Sequence, residues 1–254
     1  MSDTQNLSVS KNDWNGAYVP KHTAKLIKAG IENGTAPFIS NDGHLKPSLV
    51  YNVNTGYSLE AKDLIPVLLT KVEKGYESNA VGTFSSGNKA DTRIAQGEKG
   101  VYYNFKNAKG EFEHNAFFFG EQMEQPERFA EYAKKNFKQA QNLSKETLVV
   151  KSPEVTEYLG TYVAACRSGA KVDVTPEIAE QFKTNILAVA ENELKRTSAE
   201  KNPDIPKLSD LLFNVEKKSS EIIKNREKEL GIETKPQQFK KHERKQERSQ
   251  SMVF

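Results

Sequence analysis

Residues 61–120 read AKDLIPVLLTKVEKGYESNAVGTFSSGNKADTRIAQGEKGVYYNFKNAKGEFEHNAFFFG, and the period of their apolar side chains changes once. From 61 to 74, Leu64, Ile65, Leu68, Leu69 and Val72 recur at helical spacing, and Gly75 supplies the stop. Pro66 sits inside that pattern, which points to a first-turn position or a kink. Beyond Gly75 the pattern becomes that of strands, at 81–84, 101–105 and 112–119. Charged and Gly-rich loops separate them, and Lys109-Gly110 is a hairpin signal. A helix and short strands in one stretch of this length read as part of an α+β unit.

Upstream, Pro20 opens a helix carrying Leu26, Ile27 and Ile31, with Gly34 as its stop. Residues 36–47 read as a loop, 48–53 as a short strand and Asn54-Thr55-Gly56 as a turn. Downstream the helical period returns. Residues 126–142 carry Phe129, Tyr132, Ala133 and Phe137 on one face. Ser152-Pro153-Glu154 and Thr175-Pro176-Glu177 are two helix starts with proline in the first turn. The first of these helices ends at Gly169, and a last helix spans 208–230. The expected fold class is α+β, a small mixed sheet with packed helices, followed by an all-α helical module and a basic tail. The expected organisation is a flexible N-terminus (1–19), an α+β domain (20–122), a helical module (123–232) and a basic disordered tail (233–254).

The 254 residues are 36% hydrophobic and 28% charged, with a mean hydropathy of -0.70. The longest clean apolar run, residues 64–69, is far short of the ~20 residues of a membrane span. Met1–Ser10 has neither a basic start nor an apolar core, so no signal peptide is expected. The single cysteine, Cys166, excludes an internal disulfide or a cysteine-based zinc site. A cytosolic location follows as the expectation. The net charge is +3, but 11 Lys/Arg against 6 Asp/Glu lie from Lys217 onward. That end reads as a solubilising tail or as a non-specific phosphate-binding arm.

Signals for catalysis are mostly negative. None of His22, His44, His114 and His242 lies in a His-Glu-x-x-His pattern. Glu111, Glu113 and His114 allow a strand-borne metal site, against the plainer reading of solvent-facing hairpin positions. Cys166 sits mid-face on a helix beside Ala164 and Ala165, the setting of a core thiol. Gly97-Glu98-Lys99-Gly100 lacks the spacing of a phosphate-binding Walker loop and reads as a tight turn whose N–H groups could face a phosphate. No catalytic residue, cofactor or metal is assigned.

One constellation is more specific. Gly34-Thr35-Ala36-Pro37-Phe38 is followed by Pro47, then Asn52 and Thr55-Gly56, the apolar helix, and Gly75-Tyr76-Glu77-Ser78-Asn79. Thr83-Phe84 comes next, and Arg93-Ile94 leads into Gly97-Glu98-Lys99-Gly100-Val101. This order and spacing resembles the N-terminal domain of ArdC-type antirestriction proteins. Related domains occur in TraC-type conjugation primases and in polyvalent proteins of phages and plasmids. The resemblance covers about a third of the chain, and it implies an α+β domain that binds single-stranded DNA. The family usually follows its Thr-Gly with an aromatic residue, a glycine and an asparagine, where this chain has Leu59, Ala61 and Asp63. Val81 stands where a tryptophan is usual. Nothing in the second half matches the zinc-peptidase domain of longer relatives, so no protease activity is carried over.

Single-strand binding needs cations along a groove and exposed aromatic rings on which bases stack. Residues 89–109 carry Lys89, Arg93, Lys99, Lys106 and Lys109 interleaved with Tyr102, Tyr103 and Phe105. If Val101, Tyr103 and Phe105 face the core, Tyr102 is the stacking residue, beside Lys106. Asn52 and Thr55 either bond phosphate or base edges or serve the turn alone. The candidate nucleic-acid-binding residues are therefore Asn52, Thr55, Lys89, Arg93, Lys99, Tyr102 and Lys106. The leading expectation is a non-catalytic single-stranded DNA-binding protein of a plasmid or phage that protects or escorts the strand, including against restriction. The alternative is a protein–protein interaction module that has lost DNA binding and acts on a host defence protein or a virion protein. A metal-dependent nuclease using Glu111, Glu113 and His114 ranks last.

Overall fold

The computed structural model describes residues 18–40, 43–106, 112–196 and 206–232. Helix α1 (Tyr18–Glu32) leads to the short strands β1 (His44–Leu45) and β2 (Tyr51–Asn52) and to α2 (Ala61–Lys74). Then come β3 (Ala80–Gly82), α3 (Phe84–Lys89), β4 (Val101–Lys106), β5 (Phe112–Phe119) and a single 3-10 turn at Gly120–Gln122. The second half holds α4 (Pro126–Asn136), β6 (Thr147–Val149), α5 (Val155–Ser168), β7 (Lys171–Asp173), α6 (Pro176–Lys195) and α7 (Leu208–Glu229). The class is α+β, with two small mixed sheets ordered β2-β3-β5-β4 and β1-β7-β6. Among the described residues no helix is long and apolar enough to cross a membrane.

Helix α2 has the expected bounds and ends at Gly75, in the left-handed region at φ 67. Pro66 lies in its second turn rather than its first. A proline inside a helix costs about 3 kcal/mol or more. Here Leu64, Ile65, Val67, Leu68 and Leu69 are all buried, at about 1.5–3 kcal/mol each, which outweighs it.

Three expectations are corrected. The second half is not all helical, because Thr147–Val149 and Lys171–Asp173 pair in parallel. Lys171–Asp173 then pairs antiparallel with β1. Phe84 does not end a strand but opens α3, because the Thr83 N–H donates to Ser86 Oγ at 2.8 Å and caps a helical turn. The helix expected over 126–142 stops at Asn136, because the next turn of chain is drawn off: the Lys138 N–H donates to the Gly56 carbonyl at 2.9 Å. The expected tail (233–254), residues 1–17 and the Lys109-Gly110 turn lie outside the described residues.

The main core runs across the expected boundary at 122/123. It joins Ile27, Phe38 and Leu64 of the first half to Tyr158, Tyr162, Phe182 and Leu212 of the second. The Phe38 ring meets Tyr162 and Phe182 edge-on, with centroids 6.2 and 6.0 Å apart. A polar hub also crosses the boundary at the start of α2. Glu216 accepts the Ala61 N–H at 2.7 Å. Arg167 donates to Glu216, to the Leu59 carbonyl at 2.7 Å and to Ser219. Burial pushes the Glu216 carboxyl up, but the bonds and charge of Arg167 and the Ala61 N–H together hold it below its ordinary range.

Leu59, Ala61 and Val81, where the chain departs from the family it resembles, are all core residues. Asp63 keeps only 12% of its side chain exposed. Burial drives its pKa up to about 6, against the pull of Lys62.

Candidate nucleic-acid interface

The segment from Thr83 to Gly100 carries three of the candidate cations, and it is pinned rather than loose. The Thr92 hydroxyl accepts the Gln125 N–H at 3.0 Å, and the Arg93 carbonyl accepts the Glu124 N–H at 2.8 Å. Ile94 pairs with Met123 as an isolated bridge. The Gln122 side chain, 2% exposed, does the rest. Its oxygen accepts the Phe119 N–H at 3.0 Å, and its amide donates to Glu98 at 2.8 Å and to the Lys99 carbonyl at 3.0 Å. Gln122 was not singled out from the sequence. Its only signal was its place just after an aromatic strand.

On this frame Lys89, Arg93 and Lys99 are all exposed, and none of them is in an ion pair among the described residues. Two of the nearby carboxylates are engaged, while Glu124 is exposed in the cleft that Arg93 lines. Asp91, in the left-handed region at φ 53, is paired with Arg128, and Glu98 holds the Gln122 amide. Arg93 lines an open cleft of about 430 Å³ with Asn88, Asp91, Thr92, Glu124, Gln125 and Arg128. Lys89 follows Asn88 directly.

Strand β4 pairs antiparallel with β5, which sets Tyr102 opposite Ala116 and Tyr103 opposite Asn115. Val101 is buried and Tyr103 stacks on Phe117, centroids 4.1 Å apart, so this face of the strand belongs to the main core. Tyr102 lies on the other face with Ala116 and Phe118. Phe118 shares an apolar cluster with Ala90 and Ile94, and a Cβ at Gly100 would fall 2.8 Å from Ala116 and Phe118 side-chain atoms, so the end of the cationic segment lies against the Tyr102 face. Tyr102 is half-buried there. Lys106 is paired with Phe112 through the backbone, but its side chain lies outside the described residues, as do those of Phe105, Glu113 and His114 and the whole of Glu111 and Lys109. Among the described residues no group of three His, Cys, Asp or Glu could hold a metal ion.

Asn52 and Thr55 are used by the turn itself. Asn52 Oδ1 accepts the Asn54 N–H at 2.9 Å, and the Thr55 hydroxyl accepts the Tyr57 N–H at 3.2 Å. These are ordinary Asx- and ST-turn bonds. The turn still adjoins the cationic segment, because Asn54 Nδ2 donates to Ser86 Oγ at 2.8 Å. Sequence reasoning also missed Phe84 as a surface ring. It is 63% exposed at the first position of α3, and the signal was its setting in a polar run, Thr83 to Lys89.

No protein-family model and no curated protein matches the sequence. Among solved structures, the chain is similar to the antirestriction protein ArdC of plasmid R388, in a metal-free structure. The TM-score is 0.45 at 12% identity, over 80% of this chain and 98% of that one.

Proposed function

We propose that this chain is a non-catalytic single-stranded DNA-binding protein of a plasmid or phage. It acts in the cytosol to protect or escort the strand, including against restriction. The observation that carries the reading is the set of three exposed cations outside any described ion pair, Lys89, Arg93 and Lys99, on a segment pinned by Gln122 beside the Tyr102 face of β4. Some cations elsewhere on the surface, such as Lys28, Lys183 and Arg226, are neutralised by carboxylates. Phosphates would lie along the three cations and a base against Tyr102, with Lys106 at the far end of the strand. Three of the four departures from the resembling family, Leu59, Ala61 and Val81, are buried and concern packing rather than this surface.

The test is fluorescence anisotropy with a labelled single-stranded oligonucleotide across a salt series. Wild type should bind single strands in preference to duplex. Arg93→Gln with Lys99→Gln should reduce the salt slope by about 1.4, at about 0.7 for each phosphate no longer neutralised. An unchanged slope would remove this segment from the interface. No binding even at low salt would favour the second reading, a partner-binding module directed at a host defence or virion protein.

A further inference from the structure

The end of α4 and the turn after β2 form a second surface of distinct composition. Gly56 has φ 79, and a Cβ there would fall 1.9 Å from the Asn136 carbonyl oxygen. The Gly56 carbonyl accepts the Lys138 N–H at 2.9 Å, and the Ser58 N–H donates to Gln139 Oε1 at 3.1 Å. Direct backbone contact thus fixes the two segments to each other. Each side of the contact carries an exposed aromatic ring, Tyr57 at 42% and Phe137 at 39%. Phe137 stands against Tyr51 with centroids 4.8 Å apart at 61°, which holds its ring without covering it.

The two segments in contact carry charge of one sign, with Glu60 and Glu131 just outside them. Lys134, Lys135 and Lys138 are exposed, and none is in an ion pair among the described residues. Residues 48–59 and 132–139 contain no Asp or Glu. The Asn54–Ser86 hydrogen bond joins this surface to α3 and its exposed Phe84. Rigid exposed rings beside unneutralised lysines suit a ligand with accessible π-faces and a polyanionic backbone.

We propose that Tyr57, Phe137, Lys134, Lys135 and Lys138 form a second contact for single-stranded DNA, with bases stacked on the two rings and phosphates held by the three lysines. The inference rests on the single-strand reading above and extends the strand's path from the Arg93 segment across the turn to α4. An unpaired strand fits it and a duplex does not, because a duplex keeps its base faces stacked internally.

The test uses the full chain and an oligothymidylate of about 20 nucleotides, longer than the roughly 4–16 that one compact single-strand fold covers. Binding is read by anisotropy across a salt series. A second oligonucleotide carrying 5-iodouracil is photocrosslinked, and the adducts are mapped by mass spectrometry. The triple variant Lys134→Gln, Lys135→Gln, Lys138→Gln should reduce the salt slope by about 2, at about 0.7 per lysine. Tyr57→Ala with Phe137→Ala should weaken binding about fivefold or more, and adducts should map to Tyr57 or Phe137. Thermal melts establish that the variants are folded.

Unchanged affinity and slope in the lysine variant, with adducts only near Tyr102, would overturn this proposal and leave the Arg93 segment as the interface. Weaker binding in the lysine variant with no change in the Arg93/Lys99 variant would do the reverse. Equal affinity for duplex would overturn the stacking role, and no binding by wild type would overturn both readings.

Discussion

Gln122→Leu is the substitution whose cost can be worked most directly from these contacts. Leucine is close in size to glutamine, so the change removes three hydrogen bonds at nearly constant volume. The Phe119 N–H is buried with its residue at 0% exposure, and leaving such a donor unpaired costs about 1–3 kcal/mol. Glu98 and the Lys99 carbonyl lie on an exposed stretch and recover water as a partner, so each of those bonds is worth about 0.5 kcal/mol. The expected destabilisation is about 2–4 kcal/mol. At about 2–4 °C per kcal/mol for a chain of this size, Tm should fall by roughly 4–16 °C. Urea unfolding gives the free energy, and hydrogen exchange locates it, with faster exchange expected at Phe119 and over residues 95–100. Single-strand affinity should fall as well, although Gln122 is only 2% exposed. A destabilisation below about 1 kcal/mol, with unaltered exchange at those amides, would falsify the view that this one side chain pins the cationic segment.

Other expectations follow from the same geometry. Gly56→Ala places a methyl on the Asn136 carbonyl in a left-handed backbone. It should cost more than the roughly 1 kcal/mol of an unobstructed left-handed site, read from the urea midpoint. Arg167→Met strands the Glu216 carboxylate beside the Ala61 N–H and should destabilise by about 3 kcal/mol, the low end for breaking a buried pair, since Glu216 keeps 29% exposure. For Asp63, whose carboxyl rises from 3.8 to about 6 on folding, the folded state holds the extra proton. Its contribution is therefore full below the unfolded value, is lost as pH rises from about 4 to about 6, and is flat above that. Asp63→Asn should remove that descent and raise stability at neutral pH by about 1–3 kcal/mol, seen by comparing urea curves of the two proteins at pH 4, 5, 6 and 7. The Cys166 thiol is buried and pushed up to about 12 by that burial. It should stay unreactive toward a thiol reagent at neutral pH until the chain is unfolded, and reaction at the rate of a free cysteine would contradict that burial.

The long periodic helices were legible because their signals are local. Helix α2 and the Gly75 stop, the β4–β5 pairing and the Thr175-Pro176 start all rest on residues within a few positions of one another. Strands β6 and β7 were not legible. Three residues each give no usable alternation, and their partners are remote in sequence: β6 pairs with β7 across the whole of α5, and β7 pairs with β1, more than a hundred residues away. Phe84 failed for a related reason, since a strand-forming aromatic was overridden by the Thr83–Ser86 cap. Of the candidate site, the cations at 89, 93 and 99 and the outward side of Tyr102 could be read from charge and strand parity. Asn52 and Thr55 could be weighed only once the turn's own hydrogen bonds were seen. Phe137 reads from the sequence as part of the apolar face of a longer helix, and the helix end at Asn136 with the bond from Lys138 to Gly56 sets it on the surface beside the turn.

The bond from the Ala61 N–H to Glu216 spans 155 positions of sequence, and this bears on how the chain is made. At about 5–20 residues per second, the ribosome delivers Glu216 roughly 8–30 s after Ala61. Through that interval the start of α2 lacks its anion, and the apolar sides of α1 and α2 lack the helices that cover them. The nascent first half is then a client for chaperones and a target for proteases, and a premature stop before α7 should yield an insoluble fragment rather than a shorter working protein.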